Sequence, residues 1–306
     1  MLSQESMDGN NRRLKTSDIL RFLSLGALFG GSFLFMRIAA PHFGAVLTAE
    51  LRVLIAGIVL ATYALLTRRE MLTRRHWKGF LVVGAFNTAI PFALFAYAAI
   101  HIPAGYSAIL NALMPIWAAF FSALMLGERL TWRVFAGVLV GVAGVAMLVQ
   151  LGPVALNRNV ILAALACISA TACYGFGGTF TKKYLAGLPA HGAAANTMLF
   201  AAAVLGPVAL LNVPAAAPPV SAWLAVGALA LFCSALAFFI YYQLIARIGA
   251  TQISAVTFLL PAFGIFWGWL FLGEPVTVAM LGGFGLVAIA AGLVVGIGPF
   301  RGRAGF

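Results

Sequence analysis

A series of ten long apolar stretches is the feature that most constrains how this chain can fold. The hydrocarbon core of a bilayer is about 30 Å thick, so a helix needs about 20 apolar residues to cross it. Charged residues make up only 8% of the chain, against roughly 25% in soluble domains. The sequence therefore predicts an all-α integral membrane protein with ten transmembrane helices. The stretches cover residues 19–38, 46–66, 78–100, 104–126, 131–150, 158–181, 191–212, 220–246, 250–272 and 277–297.

Basic residues are distributed unequally between the two sides of this predicted bundle. Of the 19 lysines and arginines, sixteen fall on the side that carries the N-terminus, and only Arg37 and Arg158 fall on the other. The remaining one, Arg52, lies within the second stretch. Short cytoplasmic connections are enriched in Lys and Arg, so we expect a multi-pass protein of the inner (plasma) membrane with both termini cytoplasmic. This asymmetry explains the net charge of +12 and argues against nucleic acid as a partner.

One motif occurs twice, 146 residues apart. It consists of a proline, then Leu-Gly-Glu, then a threonine, and its two copies begin at Pro115 and Pro261 and contain Glu128 and Glu274. Because each half holds five predicted helices, an odd number, the second half must enter the membrane in the opposite orientation, which predicts inverted repeats around a central cavity. The predicted organisation is a cytoplasmic tail (1–18), a first repeat (19–150), a second repeat (158–297) and a second cytoplasmic tail (298–306).

These features together resemble the drug/metabolite transporter superfamily, EamA type. The resemblance covers about residues 19–297 and rests on the 5+5 repeat, Arg52 in the second helix, Pro115 in the fourth, and the Leu-Gly-Glu elements after helices 4 and 9. Within the family the chain is most similar to YddG-type exporters of aromatic amino acids and methyl viologen. The resemblance implies export, a cavity lined mainly by helices 1, 3, 4, 6, 8 and 9, and a peripheral position for helices 5 and 10.

Three prolines inside predicted helices are candidate hinges: Pro91, Pro115 and Pro261. A proline within a helix frees the carbonyl of the residue four positions earlier, and each of those residues here carries a polar side chain. One interpretation is a hinge beside a substrate site. The alternative is a kinked packing helix whose polar side chain bonds to a neighbouring helix. The three polar residues are Asn87, Asn111 and Thr257.

Four further side chains are candidates for substrate binding because of their positions on predicted helix faces. Ser107 lies one turn before Asn111, and Ser234 and Tyr241 are seven residues apart on one face. Tyr174 precedes a glycine-rich segment that allows another group to approach closely. The alternative for the two tyrosines is packing, since most aromatic residues of such a chain pack against other helices or form interface belts.

Acidic residues are scarce in the predicted spans. Glu50 is the acid nearest to lying within one, and no acid lies near the middle of a predicted helix. Intramembrane acids often belong to proton or substrate pathways, so Glu50 is a candidate coupling residue, with an interfacial ion pair to Arg37 or Arg52 as the alternative. Glu128 and Glu274 each precede a helix, which is typical of a turn whose acid is favoured by the helix dipole; a direct role in transport is the alternative.

The sequence favours a transporter that exports small amphipathic metabolites, such as aromatic or neutral amino acids, by alternating access. Efflux of lipophilic cations is the alternative, and it usually relies on an acid in the cavity. A lipid-modifying membrane enzyme needs a nucleophile–base pair, a metal cluster or paired acids, and the sequence contains no motif of these kinds. We therefore expect no catalytic residue, no metal and no cofactor. The expected partners are a small-molecule solute and membrane lipid, with monomer and homodimer both open.

Overall fold

The computed structural model describes residues 16–68, 70–71, 73–151, 155–188, 190–248 and 255–295, and over these residues it is helical without a strand. The elements of the first half are α1 (Thr16–Phe43), α2 (Ala45–Leu66), α3 (Thr73–Gly84), a π-helix π1 (Ala85–Ala89), α4 (Ile90–His101), α5 (Ala104–Asn111), α6 (Met114–Leu126) and α7 (Trp132–Leu151). Those of the second half are α8 (Arg158–Tyr184), α9 (Ala190–Leu210), α10 (Val220–Ala230), a π-helix π2 (Leu231–Leu236), α11 (Ala237–Ile248), a 3₁₀ turn (Ala255–Phe258), α12 (Leu259–Leu272) and α13 (Val278–Val295).

The membrane architecture predicted from hydropathy is confirmed in its main outline. Eight helical segments of the described chain are long and apolar enough to cross a membrane. Two further apolar helices, Trp132–Leu148 and Val256–Leu272, are shorter. Each of the ten segments overlaps one of the ten predicted stretches. The first residues of the ninth stretch, 250–254, the last of the tenth, 296–297, and most of the two predicted tails, at 1–15 and 298–306, lie outside the described residues.

The long helices alternate in direction, so the bundle has two ends. We call one the Thr16 end, because α1 begins there, and the other the Phe43 end, because α1 finishes there. The turns α1–α2, α4–α5 and α12–α13 all lie at the Phe43 end, whereas the turn between α6 and α7 lies at the Thr16 end. The charge distribution predicts that the Thr16 end faces the cytoplasm.

The third and fourth predicted spans, and their counterparts the eighth and ninth, are interrupted at corresponding places in the two halves. The π-helices π1 and π2 begin 146 residues apart. The turn at Ala112 and Leu113, which separates α5 from α6, corresponds at the same offset to the junction between the 3₁₀ turn and α12. The fourth predicted span is therefore two helices in line rather than one.

The three candidate hinge prolines lie directly after these interruptions. Pro91 and Pro115 occupy the first turns of α4 and α6, and Pro261 is the third residue of α12. A proline is tolerated in the first turn of a helix because the missing N–H has no intrahelical acceptor there. Each proline thus lies near the start of a helical segment, next to an interruption.

The repeated Leu-Gly-Glu element has a conformational reason. Gly127 and Gly273 adopt left-handed backbone conformations, with φ of 73° and 63°, and end α6 and α12. In both copies the N–H of the following glutamate donates to the carbonyl six residues earlier, from Glu128 to Ser122 at 3.4 Å and from Glu274 to Gly268 at 3.2 Å. A glycine in the left-handed conformation is a common end of a helix, because glycine lacks a Cβ. The motif therefore ends a helix and fixes where its glutamate begins.

Packing between the two halves follows the same correspondence. In the first half α1 packs against α10 and α12, and its counterpart α8 packs against α4 and α6. The second helices of the halves, α2 and α9, pack against each other, and so do the last ones, α7 and α13. The α7–α13 pair makes few other contacts, so the remaining helices surround the centre of the bundle.

Candidate functional site

A cavity of about 340 Å³ lies at the centre of the bundle and is formed by helices of both halves. This volume is at the small end of the 300–1,000 Å³ that is typical of ligand pockets. Aromatic rings dominate its wall, and polar groups are few. The rings belong to Phe29, Phe33, Phe92, Phe95, Tyr174, Phe238 and Tyr241, and the polar or charged side chains to Ser32, Arg52, Asn87, Asn111 and Thr257.

Five of the seven side chains that the sequence singles out for substrate binding line this cavity: Asn87, Asn111, Tyr174, Tyr241 and Thr257. They come from five different segments, π1, α5, α8, α11 and the 3₁₀ turn. Two of these segments, π1 and the 3₁₀ turn, are not regular α-helix, and they carry Asn87 and Thr257. Side chains carried by π-helical, 3₁₀ or broken segments are common in the functional sites of membrane proteins.

Asn111 offers an acceptor to whatever occupies the cavity. The residue is 6% exposed, and within the described chain its buried Oδ1 has no hydrogen-bond partner. A buried carbonyl oxygen without a donor is costly. The cavity side of α5 is thus suited to a ligand that brings a hydrogen-bond donor.

The glycine-rich segment of α8 brings its neighbours close, as the sequence predicts for the surroundings of Tyr174. A Cβ on Gly175 would lie 2.7 Å from the Trp117 backbone carbon, and one on Gly177 would lie 2.8 Å from the Cβ of Asn87. Both distances are shorter than real Cβ contacts. The two glycines therefore allow α8 to reach α6 and π1, which closes the cavity wall around Tyr174.

The other two candidates, Ser107 and Ser234, lie behind the wall. Ser107 is buried and accepts from the thiol of Cys167 at 3.9 Å between sulfur and oxygen. It lies one turn from Asn111, nearer the Phe43 end, and is not among the residues that line the cavity. Ser234 Oγ donates to the carbonyl of Leu229 at 3.2 Å and accepts from Arg52 Nε at 2.9 Å. Ser234 therefore contacts the cavity only through Arg52.

Arg52, which the sequence suggests as one possible ion-pair partner of Glu50, lies in the cavity wall. It is 4% exposed. Its guanidinium lies over the Phe92 ring, 3.6 Å from the centroid, and Nη1 approaches Met36 Sδ at 3.9 Å. Among the described residues, no carboxylate lies within 4.0 Å of it.

Glu50, two residues earlier on the same helix, points elsewhere. It is 8% exposed, and its Oε1 lies 3.8 Å from the position a Cβ would take on Gly206 of α9. Its Oε2 has no hydrogen-bond partner in the part of the chain that the structure describes. Successive helical residues differ by about 100° in direction, so Glu50 and Arg52 face different helices. The interfacial ion pair of Glu50 with Arg37 or Arg52 is therefore absent among the described residues.

A second polar cluster lies at the Phe43 end of the bundle. Arg37 Nη1 donates to the carbonyls of Ala99 and Ile100 at 2.6 and 2.9 Å, in the last turn of α4. Glu274 accepts from the N–H of Ala104, the first residue of α5, at 3.0 and 3.2 Å. Arg37 Nε and Glu274 Oε1 are 3.6 Å apart. The cation thus meets a helix C-terminus and the anion a helix N-terminus, as the helix dipoles favour.

Burial raises the pKa of the Glu274 carboxyl above its usual value, while the hydrogen bond from Ala104 and the charge of Arg37 act in the opposite direction. The sequence placed Glu274 near the helix that follows it, but its carboxylate binds the N-terminus of α5 instead. The following helix is capped by Thr277, whose Oγ1 accepts from Met280 N at 3.3 Å. The corresponding acid of the first half, Glu128, is half exposed and bonds to Lys182 Nζ at 2.8 Å.

Comparison with known proteins agrees with this architecture. The chain is 27% identical over 259 residues to a probable terminal-alkyne amino-acid exporter of Streptantibioticus cattleyicolor, covering 83% of this chain and 86% of that protein. It is 24% identical over 295 residues to the uncharacterized transporter YvbV of Bacillus subtilis, covering 92% of each. It is also 26% identical over 278 residues to the uncharacterized inner membrane transporter YedA of Escherichia coli K12, covering 89% and 88%.

The fold and the sequence family can also be assigned directly. A solved crystal structure with 22% sequence identity superimposes with a TM-score of 0.62 over 92% of this chain and 96% of that one, which supports the fold. The model of the EamA-like transporter family matches the chain twice, over residues 17–150 and 161–296. The resemblance predicted from the repeated motif is thereby confirmed, and the chain belongs to the EamA-like family of membrane transporters.

Proposed function

We propose that this transporter exports small amphipathic metabolites, aromatic or neutral amino acids above all, across the inner membrane. The observation that carries the proposal is the central cavity, whose wall is aromatic, with a few polar groups at defined positions. Aromatic rings match an apolar side chain, and isolated polar groups orient a ligand without the cost of desolvating many charges. One relative is named a probable amino-acid exporter, which is in keeping with this substrate class and direction.

Alternating access between inverted repeats is the mechanism we propose for this transport. The first repeat (19–150) and the second (158–297) would form ten spans with both tails cytoplasmic. The corresponding interruptions at π1 and π2, and the matched packing of α1 and α8, support two halves that can exchange conformations. Residues of both halves line the cavity, so a movement of one half against the other changes access to it.

The cluster of Arg37, Glu274 and Ala104 supports a state in which the Phe43 end is closed. Ala104 lies seven residues from the cavity residue Asn111, which corresponds to about 10 Å along a helix. The cluster joins α1 and α5 of the first repeat to the turn after α12 in the second. Opening at the Phe43 end, the predicted outer face, requires these contacts to break. We propose that they form the outer gate.

Efflux of lipophilic cations fits the cavity less well than amino-acid export does. A cationic solute would meet the guanidinium of Arg52, and no carboxylate belongs to the described lining of the cavity. Like charges in a low-dielectric site repel strongly. A cation pump would be expected to carry the opposite charge there.

Counterflow with the purified protein in liposomes tests the proposal. We expect radiolabelled phenylalanine to accumulate in vesicles preloaded with unlabelled aromatic or neutral amino acids, and methyl viologen to compete weakly. Accumulation driven by no amino acid of the panel would overturn the proposed substrate class. Strong competition by methyl viologen or tetraphenylphosphonium, together with absent amino-acid counterflow, would establish cation efflux instead.

Proton coupling is a separate part of the proposal and depends on Glu50. Its buried carboxylate faces α9 rather than the cavity, so coupling would act through the α2–α9 contact. Measuring uptake with and without an imposed pH gradient separates coupled from facilitated transport. If a gradient accelerates the wild type and the Glu50→Gln variant equally, Glu50 is not the coupling residue.

A further inference from the structure

The buried guanidinium of Arg52 has no anionic partner among the described residues. It lies seven residues into α2, about 10 Å from the start of that helix, and it is almost fully buried. Charged side chains at such depth in a membrane protein are costly unless they are paired or face a polar cavity. Arg52 faces the cavity, and no carboxylate among the described residues lies within ion-pair distance.

The partners that Arg52 does have orient its guanidinium without neutralising it. Ser234 accepts from Nε at 2.9 Å, Met36 sulfur approaches Nη1 at 3.9 Å, and the Phe92 ring covers one face at 3.6 Å. A guanidinium carries five N–H donors, and these contacts account for Nε and one N–H of Nη1. Because Phe92 occupies a face and Ser234 holds Nε, an anion would bind at the Nη edge.

We propose, on the basis of the amino-acid export proposed above, that Arg52 binds the carboxylate of the transported solute. The planar donor fork of arginine matches the two oxygens of a carboxylate. A single cation in the described, largely aromatic wall suits a solute with one carboxylate rather than a polyanion. The substrate class is therefore narrowed from amphipathic metabolites to monocarboxylates that carry an apolar side chain.

Asn111 supplies the complementary group for the other pole of an amino acid. Its buried Oδ1 is an acceptor without a donor in the described chain, and an ammonium group carries three donors and no acceptor. A zwitterion would thus satisfy both an unpaired cation and an unpaired acceptor. An amine without a carboxylate would satisfy only the second.

The asymmetry of the repeats supports a role for Arg52 in binding. The position 146 residues after Arg52 is Met198, which is fully buried between α9 and its neighbours. Other elements of the fold, such as the helix termini and the π-helices, recur at this offset, but the cation does not. A charge present in one repeat only gives the cavity a single orientation for a polar solute.

The test compares solutes that differ only at the carboxylate, on the wild-type protein in liposomes. The probes are phenylalanine, phenylalaninamide and phenethylamine as competitors of labelled phenylalanine. Charge-assisted hydrogen bonds predict that the amide and the amine bind about 10- to 100-fold more weakly than phenylalanine. Equal competition by phenylalanine and its amide would overturn the proposal, and this comparison needs no variant that folds.

Variants then assign the effect to Arg52. Arg52→Gln should weaken the binding of phenylalanine to the level of the amide, so that the two compete equally. Arg52→Lys should retain part of the preference for phenylalanine. Ser234→Ala should weaken carboxylate probes by a few-fold and leave the amide unchanged, because Ser234 is a positioning residue. Lys182→Gln, which removes an exposed cation from an exposed ion pair, is the matched control and should transport normally. A folded Arg52→Gln protein that still prefers phenylalanine over its amide contradicts the proposal.

A last arm separates this inference from the proposed function. If no amino acid is transported, binding of 3-phenylpropionate and benzoate is measured by tryptophan fluorescence. Binding by the wild type that Arg52→Gln loses means that the anion site exists and serves another monocarboxylate. Absence of binding to the wild type, or equal binding by the variant, overturns the anion site as well.

Discussion

Arg37 Nε lies 3.6 Å from Glu274 Oε1, and this ion pair connects α1 in the first repeat with the turn after α12 in the second. Each partner also binds one side of the α4–α5 turn: Arg37 the carbonyls that end α4, and Glu274 the first N–H of α5. One turn of the first repeat is therefore held from both sides by oppositely charged groups. Because three segments meet there, we expect a change of charge at Glu274 to affect closure at the Phe43 end.

Protonation of Glu274 is expected to weaken this gate. Its folded pKa is raised, chiefly by burial, so the carboxyl takes up a proton at a higher pH than an ordinary glutamate as pH falls. The neutral form loses the attraction to Arg37, and hydrogen bonds to a charged group are worth about 1.5–3 kcal/mol. We predict that acidification from neutral pH increases the labelling of a cysteine placed at Phe33, in the cavity, from the Phe43 end.

In the Glu274→Gln variant, the cysteine at Phe33 should be labelled about 10-fold faster at neutral pH than in the protein that keeps Glu274. The labelling should also lose its pH dependence. His101, which ends α4, is the neighbouring titratable group, so His101→Gln serves as the control and should keep the pH dependence. A pH response that survives in Glu274→Gln, or vanishes in His101→Gln, would assign the effect to another group.

Gly268 makes the position of the Glu274 carboxylate possible. A Cβ on Gly268 would overlap Glu274 Oε2, so Gly268→Ala should displace the carboxylate and mimic loss of the gate, with about the same increase in cysteine labelling as Glu274→Gln. The corresponding residue of the first repeat is Ser122, 146 residues earlier, which makes Ser122→Ala the matched control. Equal labelling of Gly268→Ala and the background would show that the carboxylate finds another position.

Asn111 and Ser107 allow a test of which face of α5 meets the solute. They lie one turn apart, but only Asn111 lines the cavity, while Ser107 contacts Cys167. We predict that Asn111→Leu raises the KM for phenylalanine by about 10-fold, since one hydrogen bond to a charged ligand group is worth about 1.5–3 kcal/mol. Ser107→Ala should change it by less than about two-fold. Unchanged kinetics in a well-expressed Asn111→Leu protein would place this side chain in packing.

The sequence predicts the helical membrane fold because apolar length is a strong and local signal, and it predicts the repeat because helix termini need glycine at fixed positions. It does not predict the two π-helices. Pro91 follows π1, but position 237, its counterpart after π2, is alanine. The two π-helices therefore do not depend on proline alone. They also depend on packing between helices that are distant in the sequence, such as that of Gly177 against Asn87.

Arg52 shows why the site was predicted only in part. With Glu50 two residues away, an ion pair is the economical interpretation of the sequence, yet two residues along a helix turn the side chain by about 200°. That angle indicates that Glu50 and Arg52 face different helices. The sequence does not predict which of these two residues faces the cavity, because this depends on how α2 packs against α9.

The orientation of the bundle in the membrane rests on its basic residues and can be measured directly. Thr67 lies after α2 at the Thr16 end, and Ala216 lies before α10 at the Phe43 end; both are exposed. We predict that Ala216→Cys in intact cells reacts with a membrane-impermeant maleimide and that Thr67→Cys reacts only after permeabilisation. Labelling of both positions in intact cells would contradict the predicted topology and the inverted repeat with it.

The two prolines at the starts of α6 and α12 are expected to control the two gates in opposite ways. Pro115 follows the turn at Ala112 and Leu113, and Pro261 follows the 3₁₀ turn. In each case the chain can bend because regular hydrogen bonds are already missing there. Replacing either proline by alanine removes the ring that clashes with the carbonyl four residues earlier, so the interruption should become more helical and the chain should bend there less readily.

We therefore predict that Pro115→Ala and Pro261→Ala each slow turnover by several-fold while changing the Kd for phenylalanine by less than about two-fold. Because the two positions correspond in repeats that the sequence predicts to be oppositely oriented, one variant should favour access to the cavity from the Thr16 end and the other from the Phe43 end. Labelling of a cysteine at Phe33 from each side of the membrane measures this bias, with Ala118→Val on the same helix as Pro115 as the control for altered packing. If both variants shift the labelling in the same direction, the prolines do not act as symmetric hinges, and the interruptions serve to shape the cavity instead.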